Sequence, residues 1–130
     1  MGMPGAKQDD EVIGLDTHII MIPSPAGPVP TPLPMPFVGK LSGALSSSVM
    51  IDGKPAAVKG STADNQPQHI PAGGPFQKQP ANQATVDTGS ETVKFDDKPA
   101  ARLGDTAITC NDPADAPNGK IIAAGTVLIG

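Results

Sequence analysis

Fifteen residues of this chain occur twice. Residues 49–63 read VMIDGKPAAVKGSTA and residues 93–107 read VKFDDKPAARLGDTA, at a constant offset of 44, with nine of the fifteen positions identical. A repeat of this kind restricts architecture more than composition does, because each copy must form the same local unit. Each copy opens on an alternating V-x-I or V-x-F strand. It turns at Asp52-Gly53 or Asp96-Asp97 and leaves through Lys-Pro-Ala-Ala, with Pro55 and Pro99 in matching places. Asp-Gly is a strong hairpin signal, since type I′ turns take positive φ at both central residues, and Asp-Asp is a weaker form of it. The end of the chain, IIAAGTVLIG at 121–130, echoes TVDTGSETVKF at 85–95 and, more loosely, LSGALSSSVMI at 41–51. The V-x-I/F element therefore starts three times, at Val49, Val93 and Val127. Three similar edges on one chain are what a three-fold symmetric partner requires. No window carries a 3.6-residue apolar period free of Gly or Pro, so the expectation is an all-β chain without helices.

Around the repeat, residues 12–22 (VIGLDTHIIMI) read as a strand with His18 inside it. Residues 1–11 read as a flexible polar leader, leaving a single domain over 12–130. Seven of the 16 prolines fall between Pro23 and Pro36. Proline fixes φ and has no amide hydrogen, which excludes a helix or a central strand and predicts an extended polyproline II arm on the surface. That arm is either a stiff loop or a docking arm for a partner. Only three residues are aromatic, so a core must come from Val, Ile, Leu, Ala and Met. Domains with so thin a core often depend on a metal, a crosslink or a partner surface.

Composition removes several function classes. A formal net charge of -4 with no basic patch argues against nucleic acid. The one cysteine, Cys110, excludes an intrachain disulfide. No apolar run is long enough to span a membrane, and the first residues carry acids where a secretory signal has an apolar stretch. The protein is expected to be made in the cytoplasm and, if exported, to leave by another route. No enzyme reading stands: Cys110 is followed by Asn111 and Asp112 in a Pro-containing turn, and neither GxGxxG nor a P-loop is present.

The segment KPAARLGD at 98–105 resembles the Pro-Ala-Ala-Arg motif of the PAAR-domain family, and KPAAVKGS at 54–61 resembles a degenerate second copy. The ending GKIIAAGTVLIG is similar to that family's closing strands. The resemblance covers most of 12–130 apart from the Pro-rich stretch and residues 71–84. It implies a small cone of short strands with pseudo-three-fold arrangement and a metal near its apex. Such a cone sits on the blunt end of a trimeric β-helical spike, of the VgrG or phage tail-spike type, in a contractile injection system such as type VI secretion or a phage-tail-like particle. One tip would cap each trimer, sharpen it for puncture and touch the target membrane only transiently.

The same resemblance directs attention to His18, His69 and Cys110, the only histidines and the only cysteine. Without it, two surface histidines and a buried cysteine are the ordinary reading. With it, the three converge on zinc, which prefers imidazole and thiolate, and one ion would clamp segments far apart in sequence. The family often supplies a further ligand before the middle histidine. Here that stretch is Asp64-Asn65-Gln66, so the fourth place falls to Asp112, Asp64 or water, and iron stays open as the metal. The offset of 44 also sets Arg102 against Val58 and Asp105 against Ser61. Copy two thus has a pair of charges that copy one lacks, which suggests an Arg102–Asp105 ion pair. With Gly130 directly after the last strand no fused toxin is expected; as an adaptor, the chain would carry effector cargo non-covalently. A small β-repeat surface-binding module is the reading outside the family.

Overall fold

The computed structural model describes residues 2–130. All its regular elements are strands: β1 (Met3–Pro4), β2 (Glu11–Ile22), β3 (Val29–Gly43), β4 (Met50–Ile51), β5 (Lys54–Pro55), β6 (Thr62–Asn65), β7 (Gln83–Val86), β8 (Lys94–Phe95), β9 (Lys98–Pro99), β10 (Thr106–Thr109), β11 (Ala116–Ile122) and β12 (Leu128–Ile129). Six of them close into a small barrel in the order β10-β11-β2-β3-β6-β7. The other six form three two-stranded ribbons, β4-β5, β8-β9 and β1-β12.

The repeat accounts for two ribbons. Their turns have φ of 49° and 82° at Asp52 and Gly53, and 53° and 64° at Asp96 and Asp97, the pair of positive values a type I′ turn needs. The third ribbon joins the two ends of the chain. Pro4 faces Leu128 there as Pro55 faces Met50 and Pro99 faces Lys94.

Over residues 2–11 this corrects the expectation of a flexible leader; Met1, which that expectation included, lies outside the described residues. Residues 3–10, MPGAKQDD, are a third, diverged copy of the arm KPAAVKGS. The three arms close a ring of backbone hydrogen bonds. Ala6 donates to Ala101 (2.9 Å), Ala57 to Ala6 (2.9 Å) and Ala101 to Ala57 (3.0 Å). A second ring runs from Gln8 to Pro55 (2.9 Å), Lys59 to Pro99 (2.8 Å) and Leu103 to Pro4 (2.9 Å). Each arm then bends at a left-handed residue, Asp9, Gly60 or Gly104, with φ of 73°, 96° and 87°. The next side chain reaches back to accept the amide three residues earlier: Asp10 from Lys7 (3.0 Å), Ser61 from Val58 (3.0 Å) and Asp105 from Arg102 (2.8 Å). A freely moving leader would leave one side of both rings unpaired, at the cost of several buried amides and carbonyls.

Packing follows the same symmetry. Leu41, Val86 and Ile121 each exchange backbone bonds with one arm, and all three are buried in the barrel core with Val12, Phe37, Ala63 and Ala107. On the ribbon side of the alanine ring, Ile51, Ile129, Ala56 and Ala100 form a second cluster, backed by Val49, Val93 and Phe95.

The Pro-rich stretch is also corrected: from Val29 onward it is strand, paired with β2 residue for residue from Val29↔Ile22 to Lys40↔Glu11. The reason is register. In an antiparallel pair, residues alternate between those whose amide points at the partner and those whose amide points away. The β2 amides of Thr17, Ile19 and Met21 point away from β3, to Asn111, Asp112 and Pro75. Opposite those three stand Pro34, Pro32 and Pro30. Prolines at every second position therefore occupy only places where no ladder amide is required. β11 meets β2 only over residues 11–13, and β6 meets β3 only over residues 39–43. The remainder of the β2–β3 hairpin projects beyond the barrel, by roughly 30 Å at about 3.3 Å per residue.

Candidate metal centre

Period-two alternation along β2 sends Val12, Asp16, His18 and Ile20 inward, and Asp16, His18 and Ile20 are wholly buried. Beyond Ile13, the loop after β10 replaces β11 as the neighbour of β2. Asn111 Oδ1 accepts from the Thr17 amide (2.7 Å), the Asp112 amide donates to Thr17 O (2.8 Å), and Asp112 Oδ2 accepts from the Ile19 amide (2.8 Å). That docking lays Cys110 over Asp16 and His18. His69 arrives from the loop after β6, its amide donating to Asn82 Oδ1 (2.8 Å) and its side chain 4% exposed.

One donor atom each from Asp16, His18, His69 and Cys110 lies within 4.8 Å of all the others. His69 Nε2 is 3.2 Å from Asp16 Oδ2, Cys110 Sγ is 3.4 Å from Asp16 Oδ2 and 3.7 Å from His18 Nε2, and His18 Nε2 is 4.0 Å from Asp16 Oδ2. Ligands held at zinc bond lengths in a tetrahedron stand about 3.5 Å apart. The other oxygen of Asp16 accepts the Thr109 hydroxyl, which turns Oδ2 toward the three remaining donors. Phe76 packs edge-on to His18 and Phe37 edge-on to His69, so each imidazole has an aromatic neighbour. A cavity of about 250 Å³ between the 78–81 and 110–115 loops reaches His18 and Cys110 and offers a way in.

Electrostatics make this group costly to bury as it stands. Burial, then the neighbouring His69, lowers the pKa of His18. Burial, then Asp16, pushes the Cys110 thiol up to about 11. Imidazole nitrogen and thiol sulfur are thereby kept neutral at ordinary pH, and a divalent cation reverses the balance for the sulfur. His18 Nδ1 is the one buried side-chain nitrogen or oxygen among the described residues without a hydrogen-bond partner. It is the atom left over when Nε2 is turned toward the cluster. Two nitrogens, one sulfur and one carboxylate oxygen suit a closed tetrahedral site.

The structure thus brings together His18, His69 and Cys110, and adds Asp16. Asp64 is exposed on β6, its Oδ1 3.4 Å from the side-chain Nε2 of Gln83, with no part in the cluster. Asp112 lies behind His18, its Oδ2 3.6 Å from Nδ1 and not beside Nε2. Asp16 was legible in principle. An acid two residues before His18 on a strand must share its face.

The turn residues hold the ribbons to one another. Asp52 accepts from the Thr126 hydroxyl (2.7 Å) and amide (3.3 Å), and Asp96 accepts from Ser46 (2.6 Å) and Ser48. Those hydrogen bonds lower the pKa of both carboxyls. Arg102 donates from Nε (3.1 Å) and Nη2 (3.0 Å) to Asp105, and from Nη1 to the Gly130 carbonyl (3.0 Å).

Among curated proteins none matches the chain. The family model described as PAAR motif matches residues 22–113, well over half of the 130 residues. The match spans both hairpins of the repeat together with His69 and Cys110. The chain belongs to the PAAR motif family, whose members form the spike tips of contractile injection systems.

Proposed function

We propose that this chain caps and sharpens a trimeric β-helical spike, one tip per trimer, for membrane puncture. The observation that carries the reading is the three-fold closure of a single chain: two backbone rings and three equivalent ribbons at one end of the barrel. A trimer ends in three equivalent strand edges, and three ribbons in cyclic array can meet all of them at once. The ribbons also leave Met3, Met50 and Leu128 exposed at 42%, 57% and 63%, apolar surface of the kind a partner covers. At the other end the projecting β2–β3 hairpin supplies a narrow point. Its outer edge carries prolines in place of amides, which denies other strands a template for pairing.

In this reading Asp16, His18, His69 and Cys110 hold zinc near the point. Zinc there supplies a crosslink among β2, the loop after β6 and the loop after β10. The residues themselves do the positioning: Thr109 orients Asp16, and Asn82 anchors the His69 backbone. The role is structural, with no catalytic step. No helix among the described residues is long and apolar enough to cross a membrane. Assembly on the particle in the cytoplasm and delivery out of the producing cell complete the proposal. For the alternative, a cargo adaptor, residues 29–36 of the Pro-rich stretch are built into β3, which leaves the turn at residues 23–28 as the part of that stretch on which cargo could dock.

The test is to mix the chain with the trimeric spike protein and determine mass by light scattering. A complex of one tip per three spike chains supports the reading; failure to associate refutes it. Elemental analysis of wild type, His69→Ala and Cys110→Ser tests the metal. Folded wild-type protein free of metal would remove zinc from the account.

A further inference from the structure

We infer that Asp112 is the outer-sphere partner of His18: a positioning residue that sets the imidazole so that Nε2 faces Asp16, His69 and Cys110. The inference rests on the metal reading above.

Asp112 is clamped to β2 on both flanks of His18. Its amide donates to Thr17 O (2.8 Å) and its Oδ2 accepts from the Ile19 amide (2.8 Å). This fixes a carboxylate oxygen 3.6 Å from His18 Nδ1, on the side of the ring away from the other donors. At that distance no hydrogen bond is made, and Nδ1 is left without a partner. A neutral imidazole that gives its Nε2 lone pair to a metal carries its proton on Nδ1. Coordination makes that N–H a better donor, and an outer carboxylate then fixes both tautomer and ring orientation. Every element of that arrangement except the last few tenths of an ångström is already in place.

His69 has no such support. Its Nδ1 faces Asn65 Nδ2 at 3.3 Å, and Nδ2 is a donor. Asn65 cannot simply turn over, because its Oδ1 accepts the Val38 amide (2.9 Å) while its Nδ2 donates to Asn82 Oδ1 (3.2 Å). The two histidines are therefore unequal: His18 is the anchoring ligand, and Asp112 is what makes it so.

The experiment is cobalt(II) titration of the folded wild type, Asp112→Ala, Asp112→Asn and Asp16→Ala, read by thiolate-to-cobalt charge transfer and d–d absorption. Asp112→Ala is expected to bind cobalt about 10–100-fold more weakly, with the saturated spectrum unchanged. Asp112→Asn retains an acceptor for the Ile19 amide and falls between. Asp16→Ala alters the d–d bands, because a ligand is lost. Unchanged affinity in Asp112→Ala overturns the inference, as does a changed spectrum at saturation, which would make Asp112 a ligand itself. Should Asp112→Ala fail to fold, Asp112→Asn decides alone: binding within about two-fold of wild type overturns the proposal. A wild type with no charge-transfer band shows instead that the metal reading has failed, and this inference with it.

Discussion

Asp105 is the residue on which the logic of the three arms can be tested most directly. Its Oδ2 accepts the Arg102 amide at 2.8 Å, and the same carboxylate takes two guanidinium contacts at 3.1 and 3.0 Å. Ser61 does only the first of these jobs in its arm, with a single oxygen on the Val58 amide. If capping the arm is the essential function, Asp105→Ser should lose the ion pair and a long contact from the Thr88 hydroxyl (3.4 Å), and keep the cap. The Arg102 side chain is 25% exposed, so that loss is about 0.5–1 kcal/mol. Asp105→Ala also orphans a part-buried amide, which adds about 1–3 kcal/mol. At roughly 4 °C per kcal/mol for a domain of this size, the serine variant should melt about 2–4 °C below wild type and the alanine variant about 6–16 °C below. Arg102→Val, which imports the residue of the other arm, loses the same pair and also the Gly130 contact, so it should melt at or somewhat below the serine variant. Thermal melts and urea denaturation of the metal-loaded protein measure all three. Equal destabilisation by serine and alanine would refute the reasoning, since the ion pair would then outweigh the backbone cap.

The remaining predictions concern the axis, the hairpin and the metal. Ala57→Leu places three extra carbons where three buried arms meet, and should cost about 1–3 kcal/mol or prevent folding, as measured by urea denaturation. Leu33→Pro removes an amide that points at β2 and should destabilise by about 1–3 kcal/mol, whereas Pro34→Ala, at a place needing no ladder amide, should stay within about 1 kcal/mol; thermal melts of the pair test the register. Chelation of bound metal should lower the melting temperature of wild type and leave Cys110→Ser nearly unmoved, as calorimetry with and without chelator will show. For the metal-free protein, His18 has a pKa lowered from 6.5, so stability is present above about pH 6.5 and falls as pH drops toward the folded value. Cys110 is raised from 9.0 to about 11, so its contribution is present below about pH 9 and is lost as pH rises toward 11. Denaturation curves across that range should show a plateau between the two limits.

Much of this protein is legible in its sequence. Fifteen residues repeated at one offset, with Asp-Gly and Asp-Asp at their centres, determine two hairpins, because local turn chemistry depends on neighbours in the chain. The third V-x-I element pointed to a third ribbon. Its partner was not legible, because residues 3–10 share only Pro4 and Ala6 with residues 54–61 and the ring they complete is made of backbone. The prolines of β3 misled for a related reason. Whether a missing amide matters depends on which way the strand faces its neighbour, and that is a property of the pairing. His18, His69 and Cys110 were named from residue type and family resemblance. Their convergence, the entry of Asp16 and the station of Asp112 behind the ring were decided only when loops 53 and 93 residues further along the chain docked on one strand. The chain alone determined its turns and its chemistry-bearing residues; tertiary structure decided which of them meet, because distances across a barrel are set by register and closure and not by sequence separation.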